Sequence, residues 1–287
     1  MNLIISTIDQ GLLWSLLSLG VFITFRILKF PDMTVEGSFP LGAALSALML
    51  QQHSIGYSLL VAFIGGCLAG LITGILANYC HVQSLLAGIL TLTGLYSINL
   101  RILGQANMAI GDQHNLYQLP LLPLLTLDQR LLVINLAIIL VALLLLAGLL
   151  YTEFGQSLIA AGDNPTMALA QGIAVKRTQT IGIILSNGLI ALAGGLVAQY
   201  NGFADVNMGI GVMVIGLSAI IIGERLLIGK HFVAKLISII LGSVVYRLIL
   251  LLVLQLGFNA NDFKLFSAII LAIFIVTPQQ KKGLTTK

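Results

Sequence analysis

The sequence predicts an all-α integral membrane protein. It reads as a polytopic bundle of about eight or nine transmembrane helices, one domain over residues 1–287, with a pair of short helices in the loop 151–178. Three observations predict it. First, 58% of the 287 residues are hydrophobic and 8% are charged, with a mean hydropathy of +1.05; an ordinary soluble domain carries about 25% charged residues. Too little polar surface is available to face water, so lipid is the solvent. Second, the apolar runs are continuous and do not alternate, which favours helices over a membrane β-barrel. Third, one polar, helix-breaking interlude, EFGQSLIAAGDNPTMALAQGIAVKR from Glu153 to Arg177, interrupts this pattern between long apolar runs.

A spanning helix needs about 20 apolar residues. The runs that meet this are 8–28, 57–78, 84–103, 130–150, 179–200, 232–254 and 265–277, the last by extension at its N-terminal side. Two shorter runs, 38–50 and 209–222, are rich in Gly, Ala and Ser, which suits central helices packed in protein. The first run lacks a basic leader and a small-residue cleavage pattern, so it is expected to stay as a membrane helix. If all nine runs cross, ten Lys and Arg fall on one side: Arg26, Lys29, Lys176, Arg177, Arg225, Lys230, Lys235 and three lysines of the tail. Three, Arg101, Arg130 and Lys264, fall on the other. Basic residues favour the cytoplasm, which puts the N-terminus outside and loop 151–178 inside. A re-entrant 38–50 would flip the N-terminal end. The segment 104–129, with Pro120 and Pro123, reads as a surface connector or a dock for an extracellular partner.

The formal charge of +4 is scattered over segment ends and gives no nucleic-acid stripe. Cys67 and Cys80 form no Cys-x-x-Cys pair and read as small packing residues. His53, His81, His114 and His231 are dispersed, so neither a metal cluster nor a catalytic constellation is expected. The chain has no Gly-x-x-x-x-Gly-Lys-[Ser/Thr] phosphate loop, so energy for transport would come from another polypeptide or an ion gradient.

The interlude has the turn chemistry of two short helices. Gly155 to Ala161 can form the first, with Gly162 expected as its C-cap. Asp163-Asn164-Pro165 restarts the chain, with Asn164 as N-cap and Pro165 at the first helical position. The second helix, 165–171, stops at Gly172. Met167 and Leu169 would offer apolar contact to a partner. An amphipathic helix lying on lipid headgroups is the alternative.

GQSLIAAGDNPTMALAQGI resembles the cytoplasmic loop of ATP-binding cassette importer permeases of the branched-chain amino acid and ribose type. Two further stretches are similar to one branch of that family, associated with lipoprotein-linked uptake of tryptophan, tyrosine and related compounds. They are Phe30-Pro31-Asp32-Met33-Thr34-Val35-Glu36-Gly37-Ser38-Phe39 with Leu41-Gly42-Ala43-Ala44, and Leu85-Leu86-Ala87-Gly88-Ile89-Leu90-Thr91 followed by Leu95-Tyr96-Ser97-Ile98-Asn99-Leu100-Arg101. The resemblance covers about 10–277. It implies a multi-pass permease of the bacterial cytoplasmic membrane, paired with a second permease copy and surrounded by lipid. A substrate-binding lipoprotein outside and two cytoplasmic ATPase subunits complete the assembly. ATP and Mg²⁺ would be bound by the ATPases, which would dock on Gly155, Ala161, Gly162, Asp163, Asn164, Pro165, Met167, Leu169 and Gly172. Alternating access would then move a small solute inward, on this resemblance an amino acid of the aromatic or a related kind.

Polar groups inside the bilayer are costly unless paired or hydrated, so they point to cavities or helix contacts. Asp32, Thr34 and Glu36 lie in the break 31–37, where they either cap the next helix or form an unwound gate. Asn99, with Thr91, Thr93 and Ser97, and Asn187, with Ser186, form seams that either hold helices together or line the path. Arg247 either snorkels or pairs with an acid such as Glu224. Gly65-Gly66 and Gly194-Gly195 read as close helix contacts. An ion-coupled transporter and an intramembrane enzyme are the competing classes; the first needs mid-span acids and the second a convergent site.

Overall fold

Helices form where the backbone must satisfy its own N–H and C=O groups away from water, and this chain does so along almost its whole length. The computed structural model describes residues 3–51, 54–110, 116–118, 127–226, 231–258 and 262–276. The helices are α1 (Leu3–Val21), α2 (Val35–Leu50), α3 (Ile55–Asn78), α4 (Ser84–Leu103), α5 (Leu127–Tyr151), α6 (Glu153–Asp163), α7 (Pro165–Ala170), α8 (Val175–Asn201), α9 (Val212–Leu226), α10 (Phe232–Gln255) and α11 (Phe263–Val276). Seven segments among the described residues are long and apolar enough to cross a membrane; α2 is shorter. The protein is an all-α polytopic membrane protein.

Each predicted run coincides with a helix, with shifts of a few residues at its ends. The largest change is at the first. α1 starts at Leu3 and continues through a π-helical segment, Phe22–Ile27, to Leu28. The 209–222 run is α9 preceded by a 3-10 turn, Val206–Gly209. Two short strands, β1 (Asn107–Ala109) and β2 (Phe203–Asp205), pair antiparallel beyond the C-terminal ends of α4 and α8. Strand pairing here was not expected. Most of the proline-bearing part of 104–129, like Lys230 and the tail lysines, lies outside the described residues.

The β1–β2 pair marks one end of the bundle and α6–α7 the other. α8 is the central post, packed against α1, α2 and α3. Small residues set those distances: a Cβ at Gly42 would overlap the Ala191 backbone, and one at Gly194 would overlap the Phe39 carbonyl. Gly65 and Gly66 face Leu45 and the Asn187 carbonyl, so these glycines serve close packing. Hydroxyls add to it, with Ser186 Oγ donating to Gly20 O at 2.7 Å and Ser243 Oγ to Gly11 O at 2.8 Å. The outward faces of α3 and α5 carry Leu60, Ile64, Leu68, Leu140, Leu144 and Leu145 exposed, as a lipid-facing surface does.

Apart from Arg247, which lies within α10, the following basic residues of the described segments sort between the two ends. Arg26, Lys29, Lys176, Arg177, Arg225 and Lys235 lie at the helix ends nearest α6–α7, and Arg101 and Arg130 at those nearest the strands.

Gly194→Leu is expected to lower thermal stability in detergent by about 1–3 kcal/mol or more, through overpacking. Gly148→Leu, where a Cβ meets open space, is the control and leaves the melting temperature nearly unchanged.

Candidate functional site

α2 and α9 begin inside the bundle, not at its ends. Ser38 lies beside Asn187, Gly42 beside Ala191 and Ser46 beside Gln199, so α2 runs parallel to α8 from about halfway along it. α9 begins at the first turn of α2: Gly209 packs on the Glu36 carbonyl, and Gly211 N donates to Glu36 Oε1 at 3.1 Å. From that meeting point the two helices run to opposite ends. Helix N-termini leave unsatisfied N–H groups and a partial positive charge. Carboxylates answer both here. Asp32 Oδ1 accepts from Thr34 N at 2.9 Å, as Glu36 accepts from Gly211.

The acids are held in turn by amides and hydroxyls. Asn187 Nδ2 donates to Asp32 Oδ2 at 2.7 Å, while Ser38 Oγ donates to Asn187 Oδ1 at 2.6 Å. Thr34 and Thr73 hydroxyls meet at 2.7 Å, and Thr73 reaches Thr91 at 3.0 Å. Asn99 Nδ2 donates to Gly37 O at 3.2 Å. The structure therefore brings Asp32, Thr34, Glu36, Asn99 and Asn187 into one junction of α2, α3, α4, α8 and the start of α9. Asp32, Thr34, Asn99 and Asn187 are fully buried. Of the two expected roles, cap or unwound gate, the geometry is that of the first: Asp32 accepts from Thr34 N where α2 begins, and it also accepts from Asn187 on α8. The predicted α4 seam splits: Thr91 and Asn99 face the core, but Thr93 and Ser97 are exposed on the opposite side, since positions two apart on a helix do not share a face.

The second cluster is the elbow formed by α6 and α7. Thr152 Oγ1 accepts from Gly155 N at 3.2 Å, capping α6. Asn164 Oδ1 accepts from Met167 N at 3.1 Å, and Pro165 is the first residue of α7, as the turn chemistry predicts. Gly172 takes φ +83° and ends the elbow. Gly162 needs correction. It is not a C-cap but lies inside α6, buried, where a Cβ would overlap the Ile27 carbonyl. Gly155 likewise sits against the Leu149 carbonyl. The elbow is therefore fixed by burial as well as by turn chemistry, with Leu158 and Ala161 fully buried. α7 projects: Met167 and Leu169 are 58% and 65% exposed, as are Asn164 and Pro165.

The two clusters are joined by the exit of α1. Phe30 N bonds back to Thr24 O at 2.8 Å across the π segment, and Lys29 takes φ +54°. Lys29 Nζ donates to Asp163 Oδ1 at 2.7 Å. That hydrogen bond and the lysine charge hold the Asp163 carboxyl below the usual carboxylate range, so the pair persists in mild acid and is lost as pH falls through the lowered value. Both side chains are exposed, so the pair orients more than it stabilises. Three residues after Lys29 the chain reaches Asp32.

Other contacts had no sequence signal. Arg26 grips Glu224 through two hydrogen bonds, each 2.6 Å. Glu224 is thus not the partner of Arg247, which instead lies over the Trp14 ring at 4.4 Å. Asp9, Asn135 and Tyr117 form a buried chain nearer the strand end.

Asn187→Leu removes the donor to Asp32 and the acceptor for Ser38. The expected loss is about 1–3 kcal/mol for a buried polar partner left unsatisfied, read as a lower unfolding temperature in detergent; Asn187→Gln should recover part of it.

Comparison with known proteins gives the same architecture a lineage. The chain matches the family described as branched-chain amino acid transport system / permease component over residues 3–278. It is 40% identical over 278 residues to a tyrosine transport system permease protein of Clostridioides difficile, covering 96% of this chain and 92% of that one. It is 35% identical over 195 residues to an uncharacterised protein of Rickettsia prowazekii, covering 67% of this chain and 66% of the other. No solved structure matches it. A bundle with two helices starting at mid-depth and a capped elbow at one end, matched almost throughout to this family, belongs to it: the chain is a member of the branched-chain amino acid transport permease family.

Proposed function

We propose that this chain is the membrane subunit of an ATP-driven importer that carries an amino acid, an aromatic one on the likeness to the tyrosine permease. In this reading it works as a homodimer in the bacterial cytoplasmic membrane. Two ATPase subunits, which bind ATP and Mg²⁺, dock on the elbow residues Gly155 to Gly172. A substrate-binding lipoprotein delivers the solute from the far side.

The observation that carries this reading is the elbow itself. α6 is wedged by close backbone contact against the exit of α1, while α7 stands clear with an apolar tip, Met167 and Leu169. An exposed apolar tip on a buried, stiff base is suited to receive a partner and pass its motion on. The path inward is short: from Gly162 to Ile27, around Lys29, to Asp32 and Asn187. The π segment supplies a place where the helix can change pitch. Moving the elbow would shift the mid-depth junction, where the starts of α2 and α9 meet, and so alternate access between the two ends.

Asp32 is a buried acid within the bundle, and that favours a second reading, an ion-coupled carrier. The two separate in reconstituted vesicles. ATP-driven uptake that needs the ATPase supports the first; uptake driven by an ion gradient without it supports the second.

Gly162→Leu should lower the unfolding temperature as Gly194→Leu does, since its Cβ would overlap the Ile27 carbonyl, and in the protein that reaches the membrane uptake should be lost while ATP hydrolysis continues. Asn164→Ala should weaken α7 by about 1 kcal/mol through loss of its cap and give a milder uncoupling. Normal uptake in both variants would remove the elbow from the mechanism.

A further inference from the structure

Among the described residues, neither ion pair involves Arg247. It lies on α10, roughly 22 Å from Phe232 and 12 Å from Gln255 along the helix axis at 1.5 Å per residue. Its guanidinium carbon sits 4.4 Å from the centre of the Trp14 ring. Its Nε is shut off from solvent and has no hydrogen-bond partner, while the residue as a whole is only partly exposed. The ion pairs among the described residues are Arg26–Glu224 and Lys29–Asp163, and neither reaches it. Asp9, about one and a half turns before Trp14 on α1, accepts from Asn135.

Arginine does not shed its proton inside a protein. A cation held within a membrane bundle needs an anion or water, and stacking on an indole does not balance a whole charge. The surroundings are aromatic. Trp14 stacks on Phe39 at 5.3 Å, and Tyr200, within electrostatic reach of Arg247, meets Tyr117 edge-on at 5.6 Å. The apolar groove of about 520 Å³ between α1, α3, α5 and α8 is a poor alternative seat for a zwitterion. Leu16, Phe63, Val141, Leu145 and Leu189 line it and bring no polar side chain.

We propose that Arg247, stacked on Trp14, is a carboxylate-binding site, and that its ligand is the carboxylate of the transported amino acid. The planar fork of a guanidinium matches the two oxygens of a carboxylate. Trp14, with Phe39 stacked on it, supplies an aromatic surface for an apolar or aromatic side chain. The identity of the ligand rests on the reading of the protein as an amino-acid importer; the anion site itself does not.

Trp14 is the single tryptophan of the chain, so its fluorescence reports this site directly. The purified permease in detergent is titrated with phenylalanine, with 3-phenylpropionate, which lacks the amine, and with phenethylamine, which lacks the carboxylate. The first two should give a saturable change in Trp14 emission and the third none. Arg247→Lys should weaken the response by about tenfold or more, the loss of a charge-assisted hydrogen bond, and Arg247→Gln should remove it. An equal response to phenethylamine, no response to either carboxylate, or unchanged titrations in both variants would overturn the site. If a variant is not recovered folded, the ligand series on the unaltered protein decides alone. Carboxylate binding at Trp14 without ATP-driven amino-acid uptake would refute the importer reading and leave the site standing. Uptake with no Trp14 response would do the reverse.

Discussion

Two helices begin in the middle of this bundle, and their free N–H groups must be answered there. In lipid an unsatisfied backbone group costs several kcal/mol. The chain meets that demand with carboxylates, Asp32 on Thr34 N and Glu36 on Gly211 N. Those carboxylates then need partners, and Asn187 on α8 supplies one. Asn187 can reach because glycines and alanines let α2, α3 and α8 touch backbone to backbone. The packing of the central helices and the polar junction are thus one arrangement, since neither is tolerable without the other.

The same close contacts tie the elbow to the junction. Gly162 admits the Ile27 carbonyl, and Gly182 admits Leu158 and Leu28, so α6, α8 and the exit of α1 meet at one place. Between that place and Asp32 the backbone passes through a π segment and one left-handed residue, Lys29. Well-packed contacts move as units, whereas a helix with altered pitch is a place to bend. On the proposed reading, a motion at α6 would reach the break between α1 and α2 first.

Much of the fold was legible because lipid simplifies the code. Long apolar runs can only be helices, and the Gly, Ala and Ser content of 38–50 and 209–222 marked them as central. The caps at Asn164 and Pro165 were legible because turn chemistry is local. Gly162 was misread for the same reason: a glycine near a helix end has a local explanation, and its true neighbour, Ile27, is far away in sequence. The pairing of Arg26 with Glu224, and of Arg247 with Trp14, likewise depends on which helices are adjacent. The residues of the junction were each visible as polar groups in apolar surroundings. That they converge was not visible, because α2 starts at mid-depth only when packed on α8, and α9 only when packed on α1 and α10.

The central claim is that the elbow is where a separate nucleotide-hydrolysing protein makes contact. The direct measurement is photo-cross-linking from a benzophenone side chain placed at Leu169, in membranes that contain the assembled complex. The account predicts a cross-link to the ATPase subunit whose yield changes when ATP is bound. Cross-linking to lipid alone, or labelling of Leu169 from the side opposite the ATPase, would contradict it.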